Sequence, residues 1–180
     1  LSVPFVGPDN FEGAERVGTW LAERLAPGQA VAILEGVPTA FNSQQRTAGF
    51  EKAMRDGGMN IVAKQSAQWD QTTAVTVASG ILVRHPDLAA MLCANDNMAL
   101  GAVAAIRQAG KSGEVAAVGF DNISAVQALV RDGTILATAD QHADLLAVYG
   151  REHALEAMRS DVAPADRATP VDLITADTLD

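Results

Sequence analysis

Cysteine is almost missing from this sequence. Cys93 is the single one in 180 residues, which excludes an internal disulfide and a multi-cysteine zinc site. It lies in an apolar run with nothing basic near it, so it reads as a small core hydrophobe rather than a reactive thiol. Aromatic side chains are scarce too, at 4% against 48% hydrophobic residues overall. The core must therefore be built from Ala, Val, Leu and Ile, a profile that suits an α/β protein with small residues at its helix–sheet contacts. Positive charge is in deficit. A formal net charge of -9 without any basic cluster argues against nucleic acid or an anionic membrane as partner. No apolar run approaches the length of a bilayer span, so no membrane insertion is expected.

Catalytic and cofactor signatures are lacking as well. The stretch GEVAAVGFDN does not have the spacing of a dinucleotide-binding glycine fingerprint, and no Gly-rich loop ending in Lys-Ser/Thr occurs. No serine sits in a nucleophile elbow, and no two carboxylates stand out as an acid and a nucleophile for hydrolysis. His85, His142 and His153 show no metal spacing and read as surface or loop histidines. Asn122, Ile123 and Ser124 match a glycosylation acceptor by chance. The expectation is a protein that is not an enzyme and holds no cofactor and no metal.

What is present is alternation. Short apolar runs occur at VAILEG (31–36), NIVAKQS (60–66), AAMLCAN (89–95), VAAVGFD (115–121) and ILATADQ (135–141). Their lengths fit strands buried on both faces of a parallel sheet. Helical patterns lie between them at 11–25, 43–56, 72–83, 98–108, 124–131 and 143–158. In the first, Val17, Trp20, Leu21 and Leu25 share one face, which places Trp20 in the core. Pro27-Gly28, Gly57-Gly58, His85-Pro86, Gly110 and Gly133 punctuate the segments. Strands alternating with such helices mean right-handed βαβ units. The tail ATPVDLITADTLD reads as a final short strand with an extended end. The fold class expected is α/β, three-layer and doubly wound around a mainly parallel sheet.

In such sheets ligands bind beyond the carboxyl ends of the strands. Reading along those ends gives Arg46 after the first run, then Trp69 with Gln68 and Asp70. Asn95, Asp96 and Asn97 follow, then Asp121 and Asn122, then Asp140, Gln141 and His142. This set suits a neutral polyol: carboxylates accept from hydroxyls, Arg donates in a rigid fork, amides do both, and an aromatic covers the ring's C–H surface. Each residue also has a plainer role. Asn95 or Asp96 fits a helix cap, as does the Asp121–Asn122 pair. Arg46 alone would be a solvated charge and Trp69 alone a core residue. Their coincidence at one sheet edge favours a site.

These stretches are familiar. NDNMALGA, VGFDN and RDGTILATADQ, together with PDNFEGAERVGTWLAERL, ILEGVPTAFNSQQRTAGF, SAQWDQTTA and PVDLI, resemble the periplasmic sugar-binding proteins of the ribose-binding type over nearly the whole chain. The resemblance implies a type I periplasmic binding protein whose two lobes close on a monosaccharide or polyol and deliver it to the permease of an ABC transporter. It implies Arg46, Asn95, Asp121 and Gln141 as hydroxyl ligands, Trp69 as the stacking aromatic, and Asn97 or Asp96 as the helix cap. Asp9 and Asn10, Asp140 to His142, and Asp172 to Ile174 match the three hinge crossings. It further implies that most of the first lobe is absent, the chain starting without Met near the first crossing. On that reading 1–10 is a hinge segment, 11–140 the C-terminal sugar-binding lobe, 141–172 a crossing and helix belonging with the first lobe, and 173–180 a last strand and tail. The effector-binding core of a lactose-repressor-type regulator shares this architecture. The transporter form of RDGTILATADQ, without the regulators' usual proline-containing turn before that strand, points to transport.

Overall fold

A computed structural model describes residues 5–159 and 165–179. Residues 1–4, 160–164 and 180, at the margins of the expected hinge segments and tail, lie outside the described residues. In chain order the elements are β1 (Val6–Pro8), α1 (Asn10–Ala22), β2 (Ala30–Glu35), α2 (Phe41–Asp56), β3 (Asn60–Ser66) and α3 (Gln71–Arg84). Then come β4 (Leu88–Cys93), α4 (Asp96–Gln108), β5 (Ala116–Val118), α5 (Ser124–Arg131), β6 (Ala137–Asp140) and α6 (Ala143–Arg159). β7 (Arg167–Thr169), β8 (Asp172–Thr175) and a 3-10 turn (Ala176–Thr178) complete the order.

The main sheet has six strands in the order β3-β2-β4-β5-β6-β8. All neighbours run parallel except β6 and β8, which pair antiparallel with Asp140 opposite Asp172. β2 and β4 are buried along almost their whole length, as strands covered on both faces must be. The edge strand β3 is half-exposed and carries Lys64, paired with Glu51 at 2.7 Å; a charged edge of this kind discourages pairing with a second chain. α1 packs on α2, and α3 packs on α4. The chain enters at β2, steps outward to β3 and returns past β2 to β4. The loops after β2 and β4 therefore diverge, which opens a crevice at their carboxyl ends.

Small residues allow close helix packing where aromatics are few. Gly49 of α2 lies against the Phe11 carbonyl of α1, and Gly101 of α4 lies against the Gln71 carbonyl of α3. A methyl group at either position would collide with backbone.

Several expectations need correction. Trp20 is not a core residue: it is half-buried, its ring covered by the Arg24 guanidinium 3.6 Å from the centroid. α1 also stops at Ala22, because tighter bonds from Arg24 N to Leu21 O (2.9 Å) and Leu25 N to Ala22 O (3.2 Å) turn the chain toward Pro27-Gly28. His153 is not at the surface; it is 8% exposed on α6, and its Nδ1 has no partner among the described residues. The tail does not finish extended. Thr175 and Thr178 cap each other around the 3-10 turn. Two strands escaped the sequence reading: β1 and β7 pair in parallel as a separate two-stranded sheet, with α6 packed on both.

Candidate functional site

Arg46 sits in the second turn of α2 and is only 4% exposed. A buried guanidinium needs its N–H groups occupied, and here most of them are. Nε donates to Asn10 Oδ1 at 2.8 Å, and Nη1 donates to Ala94 O at 2.8 Å and to Asp121 Oδ1 at 3.1 Å. Nη2 donates to Gln141 Oε1 at 3.2 Å. The Phe120 ring lies below, its centroid 3.8 Å from Cζ, and Trp69 stands to one side at 5.6 Å. Burial pulls the Arg46 pKa down and Asp121 pushes it back up. Burial likewise raises the Asp121 carboxyl, with Arg46 opposing. Each charge is tolerated because the other is there.

The strand ends deliver these groups. Asp121 follows β5 in a left-handed backbone conformation (φ 120°), with Asn122 next at φ 54°. Its amide donates to Ala139 O at 2.7 Å. Gln141 follows β6 and donates from Nε2 to Asp121 Oδ1 at 2.8 Å. Trp69 lies on the loop after β3, also left-handed at φ 62°. Its ring rests on Gly36, where a Cβ would overlap the indole. Asp70 then caps α3, accepting from Thr73 N at 2.7 Å.

The structure thus brings Arg46, Asp121 and Gln141 into one bonded cluster, with Asn95 and Trp69 beside it. Asn95 departs from the expected division of labour. It is itself the cap of α4, its Oδ1 accepting from Met98 N at 2.9 Å, while Nδ2 reaches Trp69 O at 3.4 Å. Neither Asp96 nor Asn97 caps that helix. Asp96 is fully buried and turned away, accepting from Ile123 N and Thr138 Oγ1, and Asn97 is exposed. Nor do Asp121 and Asn122 cap α5, whose start has no side-chain cap from its own segment.

Of the hinge candidates, Asn10 is the one bonded directly to this cluster. Asp9 caps α1 through Glu12 N at 2.8 Å. Asn10, expected only at a hinge, is 7% exposed and is the partner of Arg46 Nε. Asp140 accepts from Asn122 Nδ2 at 2.9 Å and from His142 N at 2.8 Å. His142 Nε2 lies 2.8 Å from Asp172 Oδ2.

Sequence reasoning missed Phe120 as the floor under Arg46; its place just before Asp121 was the available signal.

Counting valences shows what remains for a ligand. Arg46 Nη2 keeps one N–H, Gln141 Nε2 one, and Asn95 Nδ2 one. Asp121 Oδ2 accepts from no group among the described residues. One carboxylate acceptor among several donors, beside an indole face, can hold adjacent hydroxyls of a neutral ring. A hollow of about 610 Å³ opens at the opposite end of the strands, lined by Arg24, Val103, Arg107 and Asp132 among others. Its polar side chains are all exposed or half-buried, so no comparable network is built there. Among the described residues no cluster of His, Cys, Asp or Glu could hold a metal ion, and no helix is long and apolar enough to cross a membrane.

Comparison with known proteins identifies the family. The chain is 50% identical over 98% of its length to a D-ribose/D-allose-binding protein of Pseudomonas aeruginosa, of which it covers 56%. It superposes with a TM-score of 0.94 on an ABC transporter solute-binding protein of Burkholderia multivorans, 52% identical, covering 97% of this chain and 62% of that one. An ABC transporter periplasmic solute-binding protein of Actinobacillus succinogenes, solved with bound D-allose, gives 0.92 at 35% identity, covering 97% and 62%. The chain spans little more than half the length of the curated relatives it matches. The family model for the periplasmic binding protein domain matches residues 1–159, and it is to this family that the chain belongs.

Proposed function

We propose that this chain supplies the ligand-gripping lobe of a solute-binding protein, which holds a monosaccharide or polyol in a cleft and presents it to the permease of an ABC importer in the periplasm. One observation carries the reading: Asp121, Arg46, Gln141 and Asn95, each with a valence unspent among the described residues, lie together beside Trp69 at the sheet's switch point. The ligand is neutral, because the Arg46 and Asp121 charges already balance each other and a charged guest would leave one uncompensated. The relatives' names, which are those of transport binding proteins, do not favour the regulator core and give no support to an enzyme.

On this reading residues 11–140 form the sugar lobe, and Arg46, Trp69, Asn95, Asp121 and Gln141 are its ligand residues. β1, β7 and α6, with their own small sheet, belong with the first lobe, and 173–180 returns to the sugar lobe. Asp9, Asn10, Asp140, His142 and Asp172 form the crossings about which the lobes close. The ligand acts by shifting an open–closed equilibrium, since its hydroxyls find all their partners only when the cleft is shut. No bond is made or broken.

Calorimetric titration of D-ribose, D-allose and a cyclic polyol tests this. It is run on this chain and on a form extended at its amino terminus to the relatives' length. Tight binding in the extended form, weakened about 100-fold by Asp121→Ala, is the expected result. Unchanged affinity in that variant would remove Asp121 from the site, and no binding of any sugar by either form would end the proposal.

A further inference from the structure

Asp96 is among the most deeply buried ionisable groups described, at 0% exposure, and it points away from the cleft. Both carboxylate oxygens are engaged. Oδ2 accepts from Ile123 N at 2.9 Å and Oδ1 accepts from Thr138 Oγ1 at 2.8 Å. Thr138, equally buried, accepts in turn from Asn122 N at 3.4 Å. The Asp96 amide donates to Phe120 O at 2.8 Å. On the other flank, Gly119 N and Asp121 N donate to Ala137 O and Ala139 O at 2.9 and 2.7 Å.

Segment 119–123 is therefore gripped from two sides, by β6 and by one carboxylate at the start of α4. It needs that grip. Asp121 and Asn122 both have positive φ, a conformation that persists in non-glycine residues only when the surroundings over-determine it. The fit at Gly119 is equally close, for a Cβ there would run into Asp96 Oδ1. Keeping an acidic group in this place is costly. Burial raises the Asp96 pKa to about 7 against the pull of its donors. A helix cap would not require such burial, and Asn95 already performs that task.

We infer that Asp96 is a positioning residue for the ligand site: through Ile123 N and the Thr138 hydroxyl it holds the left-handed turn that aims Asp121 at Arg46 and the ligand. The inference rests on the sugar-binding reading for its functional half, whereas its structural half can be measured without ligand.

The test compares this chain with Asp96→Ala, Asp96→Asn, Thr138→Val and, as a control for general destabilisation, Ile81→Val in the core of α3. Amide hydrogen exchange at Asn122 and Ile123 and affinity for D-ribose and D-allose are measured on each. Asp96→Ala should speed exchange at both amides and lower affinity, each about tenfold. Thr138→Val, which keeps shape and removes the hydroxyl, should act in the same direction more weakly. Asp96→Asn should recover most of the loss, and Ile81→Val should change neither readout. If Asp96→Ala does not fold, Thr138→Val decides. Wild-type exchange and affinity in the Asp96 and Thr138 variants would overturn the inference, as would equal changes in Ile81→Val. Should neither this chain nor its extended form bind either sugar, the transport reading fails while the exchange data still judge the positioning role.

Discussion

Among the described residues Arg46 is the most heavily committed side chain, with its guanidinium serving Asn10, Ala94, Asp121 and Gln141 at once. A lysine cannot reproduce that fork. Arg46→Lys should cost about 2–4 kcal/mol of folding stability, read from the urea midpoint, and should weaken sugar binding together with it. Asp96 gives a different signature. Its pKa is about 7 in the folded protein against 3.8 for the ordinary group. Folding therefore favours the protonated form, and the groups that share a charge interaction with it are Asp121, Arg46 and the Cys93 thiol. The associated stabilisation is complete below about pH 4 and is lost as pH rises through about 7. Denaturation series across that window should show a fall that Asp96→Asn abolishes. Sequence alone found the residues that converge, because strand ends in a doubly wound sheet share an edge. It could not assign Asn95 and Asp96 correctly, since adjacent polar residues at a helix start look alike until their acceptors are seen.

At the level of elements, the sequence's poverty in aromatics acquires a cause. Where α1 meets α2 and α3 meets α4, glycine backbones touch carbonyls at Gly49 and Gly101, and no larger residue fits. Gly49→Ala and Gly101→Ala should each destabilise by about 1–3 kcal/mol through overpacking, despite alanine's better helix propensity. Thermal melts on both variants check this, and an unchanged melting temperature would show that the helices have room to separate. The buried strands and their helices were legible because apolar runs and helical spacing state them directly. β1 and β7 were not. They have three residues each, VGP and RAT, too few for any periodicity, and their pairing joins opposite ends of the chain. His153 was misread for a related reason: burial on α6 comes from packing against other elements, which no local pattern records.

Across the whole molecule, the proposed crossings and the proposed ligand cluster share atoms. Asn10 and Gln141, on the proposed first and second crossings, both bind Arg46, and Thr169 Oγ1 donates to Gln141 O at 3.1 Å. A ligand that draws on Arg46 and Gln141 thus acts directly on the segments about which the lobes would turn. The His142–Asp172 pair joins the second crossing to the third. Asp172 raises the His142 pKa above 6.5, so this tie is fully present below that pH and is lost as pH climbs through the raised value. Ring-proton NMR titration should show His142 moving back toward 6.5 in Asp172→Asn; an unaltered titration would mean that the contact does not hold in solution.

The indole seated on Gly36 has an optical consequence. The chain has two tryptophans, and they occupy unlike surroundings: Trp69 at the cleft, and Trp20 on α1 beneath Arg24. A Trp20→Phe protein would carry a single emitter beside the proposed ligand site, so occupancy of that site should be readable from its intrinsic fluorescence with no dye attached.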